Sequence, residues 1–176
     1  MSPDIRRARR EDLPGIAQVT VESWQTTFGG ILPADFLLGL NIAQQQRRHA
    51  NILDRPGVHY HVLVAEGRVV GFASGGPTRF ASFQVPHELY AMYLLPSHQR
   101  QGFGRELFRR VAADLESAGD HGLLALTLAD NPNHGFYARL GGERRDAEPL
   151  RLGEEIHAQY AYVWPTFSDR GGYPHA

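Results

Sequence analysis

Cysteine is absent from the 176-residue chain, which excludes disulfides, thiolate metal sites and a cysteine nucleophile. No apolar run approaches the length of a membrane span. The arginine-rich start, Arg6-Arg7-Ala8-Arg9-Arg10, is not followed by the apolar stretch of a secretory signal. These absences lead to the expectation of a cytoplasmic protein. A net charge of −1 leaves no global basic field to gather nucleic acid or an anionic membrane. The 19 glycines and 11 prolines are spread rather than massed, so neither linker nor repeat is expected. The length suits one domain with a sizeable core, residues 1–167, and a frayed tail, residues 168–176.

What is there centres on Gln99-Arg100-Gln101-Gly102-Phe103-Gly104. Before it, Glu88 to Leu95 has the aromatic and aliphatic character of a strand and is stopped by Pro96. After it, Phe103, Leu107, Val111 and Leu115 recur at every fourth position and lay one apolar stripe along a helix. The two glycines clear side chains from a helix start, where backbone N–H groups lack intrahelical partners. With the helix dipole and Arg100 and Arg105 beside it, this is a seat for phosphate. The Gly-Lys-Ser/Thr ending of a nucleotide-triphosphate loop is missing, and Leu107 stands where a dinucleotide fingerprint needs a third glycine.

Along the chain, Ile5 to Arg9 reads as an edge strand, with Asp12 as N-cap of a helix carrying Ile16, Val19, Trp24 and Phe28. Gly29-Gly30 ends it, and Pro33 opens a second helical piece. Gln44 to Arg48 reads as a solvated helix face. Val58–Ala65 and Val69–Ser74 form a hairpin, followed by the Glu88 strand. Leu123 to Leu128 is apolar throughout, as in a strand buried on both faces. Asn131-Pro132 opens a short helix, and two strands, Glu143 to Leu152 and Ile156 to Trp164, close the fold. The fold class is α/β (α+β), with a mixed central sheet of about seven strands and about four helices.

The glycine stretch resembles the coenzyme-A pyrophosphate loop of the GNAT N-acetyltransferase superfamily, Gln/Arg-x-x-Gly-x-Gly/Ala, through Gln99, Gly102 and Gly104. Asn131 to Gly142, Asn-Pro-Asn-His-Gly-Phe-Tyr-Ala-Arg-Leu-Gly-Gly, is similar to the family segment in which an Asn opens a helix ending in Phe-Tyr-x-x-x-Gly. Val70-Gly71-Phe72 fits the start of the family's third strand, and Ser23-Trp24-Gln25 with Phe28 to Pro33 is similar to a first-helix pattern of small bacterial members. The resemblance spans Ile5 to Trp164. It implies the GNAT acyl-CoA N-acyltransferase fold and acetyl transfer from acetyl-CoA to a small-molecule or exposed protein amine, by direct attack in a ternary complex. It also implies homodimers as a common assembly. The alternative is a non-catalytic acyl-CoA-binding module on the same fold.

The residues can be matched to that chemistry one by one. The loop Gln99, Arg100, Gln101, Gly102, Phe103, Gly104 and Arg105 is expected to cradle the pyrophosphate. The backbone of Met92, Tyr93 and Leu94 is expected to pair with the pantetheine arm like an added strand, with one N–H facing the thioester oxygen. Asn131 resembles the residue that bonds that arm, and His134 is placed near it. Tyr137 matches the family's general acid: a phenol with a pKa of about 10 can protonate a thiolate of conjugate pKa about 8.5. Glu88, eleven positions before Gln99, matches the catalytic glutamate of histone-type members. Strand alternation puts it on one face with Tyr90, Met92 and Leu94. Glu22, Trp24, Phe28, Phe80, Tyr90, His157 and Tyr160 are candidates for the acceptor pocket, with Glu22 or Glu88 attracting a cationic amine. His59 and His61 share a strand face, but no third ligand stands at a matching distance, so no metal is expected.

Overall fold

The computed structural model describes residues 3–117 and 119–166, and the tail expected at 168–176 lies outside them. One seven-stranded sheet runs through the described residues in the order β1-β2-β3-β4-β5-β7-β6. Its strands are β1 (Asp4–Arg7), β2 (His59–Ala65), β3 (Arg68–Pro77), β4 (His87–Leu94), β5 (Leu123–Leu128), β6 (Glu143–Leu152) and β7 (Glu155–Trp164). Five helices flank it: α1 (Leu13–Phe28), α2 (Ala34–Leu38), α3 (Ile42–Leu53), α4 (Phe103–Glu116) and α5 (Gly135–Arg139). Every pairing is antiparallel except β4 with β5, where a helical crossover requires a parallel neighbour.

The periodicities account for the layers. Leu107, Phe108, Val111, Ala112 and Leu115 of α4 are buried against Leu63, Ala73, Leu89 and Ala125 on one face of the sheet. Fully burying each such side chain contributes about 1.5–3 kcal/mol, so this helix is held firmly. The helix can come so close because β3 carries Gly75. A Cβ there would lie 2.9 Å from Val111 Cγ1 and from the Glu88 carbonyl oxygen. On the other face Ile16 and Val19 of α1 pack on Tyr60, Val62 and Phe72. The charged β6 lies at the sheet edge, as its sequence implies.

Three local expectations are corrected. Asp12 precedes α1 but makes no side-chain cap; it accepts the Arg6 guanidinium at 2.7 and 2.8 Å and the Arg9 N–H at 2.7 Å. The charge-assisted fork outcompetes a cap, and it holds the Asp12 carboxyl below its ordinary pKa. The helix expected to open at Asn131-Pro132 starts only at Gly135, after a turn; the polar run of α3 is solvated as expected, and His49 beside it is buried, bridging Thr20 Oγ1 and the Tyr60 hydroxyl at 3.1 Å each. The third correction concerns β4. Its register against β3 shifts between Ser74 and Gly75, pairing Ser74 with Ala91 but Gly75 with Leu89. This bulge at Tyr90 reverses the side-chain alternation. Leu89, Met92 and Leu94 face α4, whereas Ala91 and Tyr93 face α1. Glu88 therefore lies across the sheet from Met92 and Leu94, not beside them.

Candidate active site

β4 and β5 part company halfway along. Their pairing covers His87 with Leu123, Glu88 with Leu124 and Leu89 with Ala125, and stops there. β5 continues on its other side with β7 as far as Leu128. On β4 the Leu95 N–H donates to the Val70 carbonyl at 2.9 Å, so the backbone groups of Leu94 and Met92, alternating with it, face the gap. The gap opens into a cleft of about 570 Å³.

The loop at the end of β4 forms one wall. Gln99 Nε2 donates to the Leu94 carbonyl at 2.9 Å and ties the loop to the strand. Gly102 takes φ +87, a left-handed conformation suited to glycine, as the chain turns into α4. The first bond of that helix turn runs from the Glu106 N–H to the Gly102 carbonyl at 3.1 Å. The amides from Arg100 to Arg105 precede it at the positive end of a 14-residue helix. Arg100, Gly102, Gly104 and Arg105 all line the cleft.

Opposite stands α5. Tyr137 lines the cleft, its ring 5.5 Å from that of Tyr162 and 5.5 Å from that of Phe136. Burial pushes the Tyr137 phenol well above its ordinary pKa, and Tyr93 and Tyr162 add to the shift. The group is a neutral O–H donor at any physiological pH. Asn131 also lines the cleft while its carboxamide works locally: Nδ2 donates to Thr127 Oγ1 at 3.0 Å, and Oδ1 accepts the Asn133 N–H at 2.9 Å.

Of the expected coenzyme-binding residues, Met92, Tyr93, Leu94, Gln99, Arg100, Gly102, Gly104, Arg105, Asn131 and Tyr137 come together at this cleft. Three do not. Gln101 turns outward to the Ser97 carbonyl, Phe103 packs into the core under α4, and His134 Nδ1 pairs with the Tyr162 hydroxyl at 2.9 Å. Ser23, Thr27, Asn133, Phe136 and Arg139 line it and were not among the expected residues. Ser23 and Thr27 stand one turn apart on α1, a polar pair indistinguishable in sequence from an ordinary helix face.

The expected acceptor residues disperse. Phe28 lines the cleft, and Trp24 reaches it indirectly, its indole Nε1 donating to the Tyr93 hydroxyl at 2.8 Å. Glu22 accepts from Gln18 on the same helix and stands outside the cleft lining. Tyr90 donates to the Pro77 carbonyl at 2.7 Å, and the Arg79 guanidinium lies 5.0 Å from its ring and 5.7 Å from that of Phe80. Tyr160 is covered by Arg144, and His157 faces Glu155. Glu88 is 1% exposed and also outside the lining. Its carboxylate accepts three bonds from Arg79: from the backbone N–H at 3.1 Å, Nε at 3.0 Å and a terminal nitrogen at 2.5 Å. Arg79 neutralises the Glu88 carboxylate, whereas Glu22 keeps its charge beside a neutral amide outside the cleft lining.

The two strand histidines do gain a carboxylate, one the sequence spacing concealed. Asp114 of α4 accepts from His61 Nε2 at 2.8 Å and lies 3.6 Å from His59 Nδ1. Its other oxygen takes Arg7 at 2.9 Å, so the cluster is an ion-pair network; among the described residues no group of three ligands suited to a metal occurs. No helix of the described residues is long and apolar enough to cross a membrane.

The sheet thus splays beside a glycine turn, with the backbone of Met92 and Leu94 facing the gap. Comparison with known proteins gives the class. The model of the acetyltransferase (GNAT) family matches residues 21–142, and the chain belongs to that family. It is 34% identical over 164 residues to YuaI, an uncharacterized N-acetyltransferase of Bacillus subtilis, covering 93% of this chain and 94% of the relative. It is 31% identical over 124 residues to the L-amino acid N-acyltransferase MnaT of Escherichia coli, covering 69% and 67% respectively. Among solved structures, PaiA N-acetyltransferase from Thermoplasma acidophilum, in complex with coenzyme A, superposes with a TM-score of 0.73 at 20% identity, covering 90% of this chain and 98% of that one. The last comparison bears on the fold alone.

Proposed function

We propose that the protein is an acetyl-CoA-dependent N-acetyltransferase acting on a primary amine by direct attack in a ternary complex. The observation that carries this reading is the gap after Leu89, with the α4 amides at its end and Tyr137 in its wall. The coenzyme's pyrophosphate would sit on the amides of Arg100 to Arg105, with Arg100 and Arg105 adding charge. Its pantetheine amides would pair with Met92 and Leu94 as a further strand. A strand N–H would stabilise the oxyanion, and the Tyr137 hydroxyl would protonate the departing thiolate.

Glu88 supports the fold in this reading. A carboxylate already satisfied by Arg79, and held outside the cleft lining, is a poor proton acceptor there. The ammonium proton passes to water instead. The acceptor is a small amine without extra positive charge, since Arg100, Arg105 and Arg139 line the cleft and no Asp or Glu among the described residues does. The likeness to an L-amino acid N-acyltransferase points the same way.

The test is thermal stabilisation by acetyl-CoA, coenzyme A and NAD, followed by free-thiol release with L-amino acids, ethanolamine and spermidine. Either coenzyme at a hundred times its Kd should add about 2.7 kcal/mol, and NAD nothing. Amino acids should release thiol faster than spermidine. No stabilisation by either coenzyme at millimolar concentration contradicts the reading.

A further inference from the structure

Tyr93 stands in the open half of β4 with an unusual hydrogen-bond state. Its ring faces α1, edge-on to Phe72 at 5.7 Å, and the residue lines the cleft. The Trp24 indole, braced by Phe28 at 5.1 Å and Phe36 at 6.1 Å, donates to the Tyr93 oxygen at 2.8 Å. An indole N–H only donates, so the phenol oxygen is the acceptor in that pair. Its own O–H and its second lone pair remain, and no described residue takes either. Burial holds the phenol in its neutral form.

The placement is complementary to that of Tyr137. Tyr137 packs with the α4 side of the sheet, Tyr93 with the α1 side, and both border the gap. The two are close enough for the charge of one to disfavour ionisation of the other. A thioester lying along Met92 would have Tyr137 on its sulfur side and Tyr93 on the side of α1, where Ser23 and Thr27 also line the cleft.

Building on the acetyltransferase reading, we propose that the Tyr93 hydroxyl is a further catalytic group that hydrogen-bonds the attacking nitrogen, and that Trp24 is its positioning residue. The free lone pair of Tyr93 accepts one N–H of the neutral amine and aims the nitrogen lone pair at the carbonyl carbon. The C–N bond forms and the C–S bond breaks. The thiolate takes a proton from Tyr137, which water restores, and the surplus proton on nitrogen leaves to solvent. Trp24 supplies orientation: without its N–H the phenol rotates freely among partners.

The test compares wild type, Tyr93→Phe, Trp24→Phe and the double variant. The readouts are stabilisation by acetyl-CoA, and thiol release from acetyl-CoA with water alone and with the best amine of the panel above. Tyr93→Phe should keep the wild-type acetyl-CoA stabilisation and lose at least about tenfold in kcat. Trp24→Phe should lose less, and the double variant should be no slower than Tyr93→Phe, because the indole acts only through the phenol. Wild-type kcat in Tyr93→Phe, or losses that multiply in the double variant, overturns the assignment alone. Wild-type protein that binds no acetyl-CoA, or binds it and releases no thiol with any amine or water, overturns the acetyltransferase reading and this role with it.

Discussion

The two halves of β4 meet opposite demands with the same strand. From His87 to Leu89 it is paired on both sides, Glu88 is buried under Arg79, and Gly75 admits α4 to contact distance. From Ala91 to Leu94 it keeps only its β3 partner and faces a cleft. The bulge at Tyr90 divides them. In the first half the Glu88 carboxylate is satisfied by Arg79, whereas in the second the backbone of Met92 and Leu94 faces the gap. A rigid half thus fixes the position of a half that is chemically unsaturated, which is what a strand-like ligand requires.

The comparison can be broken most severely at its closed end. Arg79→Ala would strand the Glu88 carboxylate without its guanidinium. Orphaning one member of a fully buried pair costs about 3–5 kcal/mol; with the Arg79 side chain 57% exposed, urea unfolding should show a loss at the low end of that range. Adding Glu88→Gln should recover part of it, since a neutral amide is cheaper to bury. An Arg79→Ala protein as stable as wild type would mean that the pair is not what closes this half.

Acid should loosen the α1–α3 layer on the same face. Burial depresses the His49 pKa to about 4, with Arg48 adding to the effect. In the unfolded chain its pKa returns to about 6.5. Between those values the unfolded chain binds a proton that the folded chain refuses, so stability falls as pH drops from 6.5 toward 4. The full loss is about 3 kcal/mol. Urea midpoints at pH 7 and 4.5 should differ less in His49→Gln than in wild type.

At the open end the expected effects are on function. Tyr137→Phe should lower kcat about 10²-fold, equivalent to about 2.7 kcal/mol, without weakening acetyl-CoA binding. Unchanged turnover would assign protonation of the thiolate to another donor. Smallest is Gly102→Ala. The side chain meets open space, but φ +87 strains any residue with a Cβ, so about 1–2 kcal/mol of stability should be lost.

Much of this was legible in the sequence, for physical reasons that differ between regions. The glycine turn, the α4 stripe and the Asn131 to Gly142 segment are local patterns: the stripe forms the core under the sheet, and the other two each send several residues to one cleft. The face of Glu88 was not legible, because the bulge at Tyr90 carries no Gly or Pro to announce it, and one extra residue reverses the alternation. Asp114 beside His61, and Tyr93 beneath Trp24, join residues far apart in the chain. Ser23 and Thr27 look like any polar helix residues until the gap opens in front of them.

The central claim, that the open half of β4 awaits a strand-like ligand, is tested most directly by residue-resolved amide hydrogen exchange with and without saturating acetyl-CoA. The Leu89 amide should be protected in both states, whereas Met92 and Leu94 should exchange readily in the free protein and become protected when the coenzyme binds. Binding that leaves Met92 and Leu94 unprotected would contradict the account.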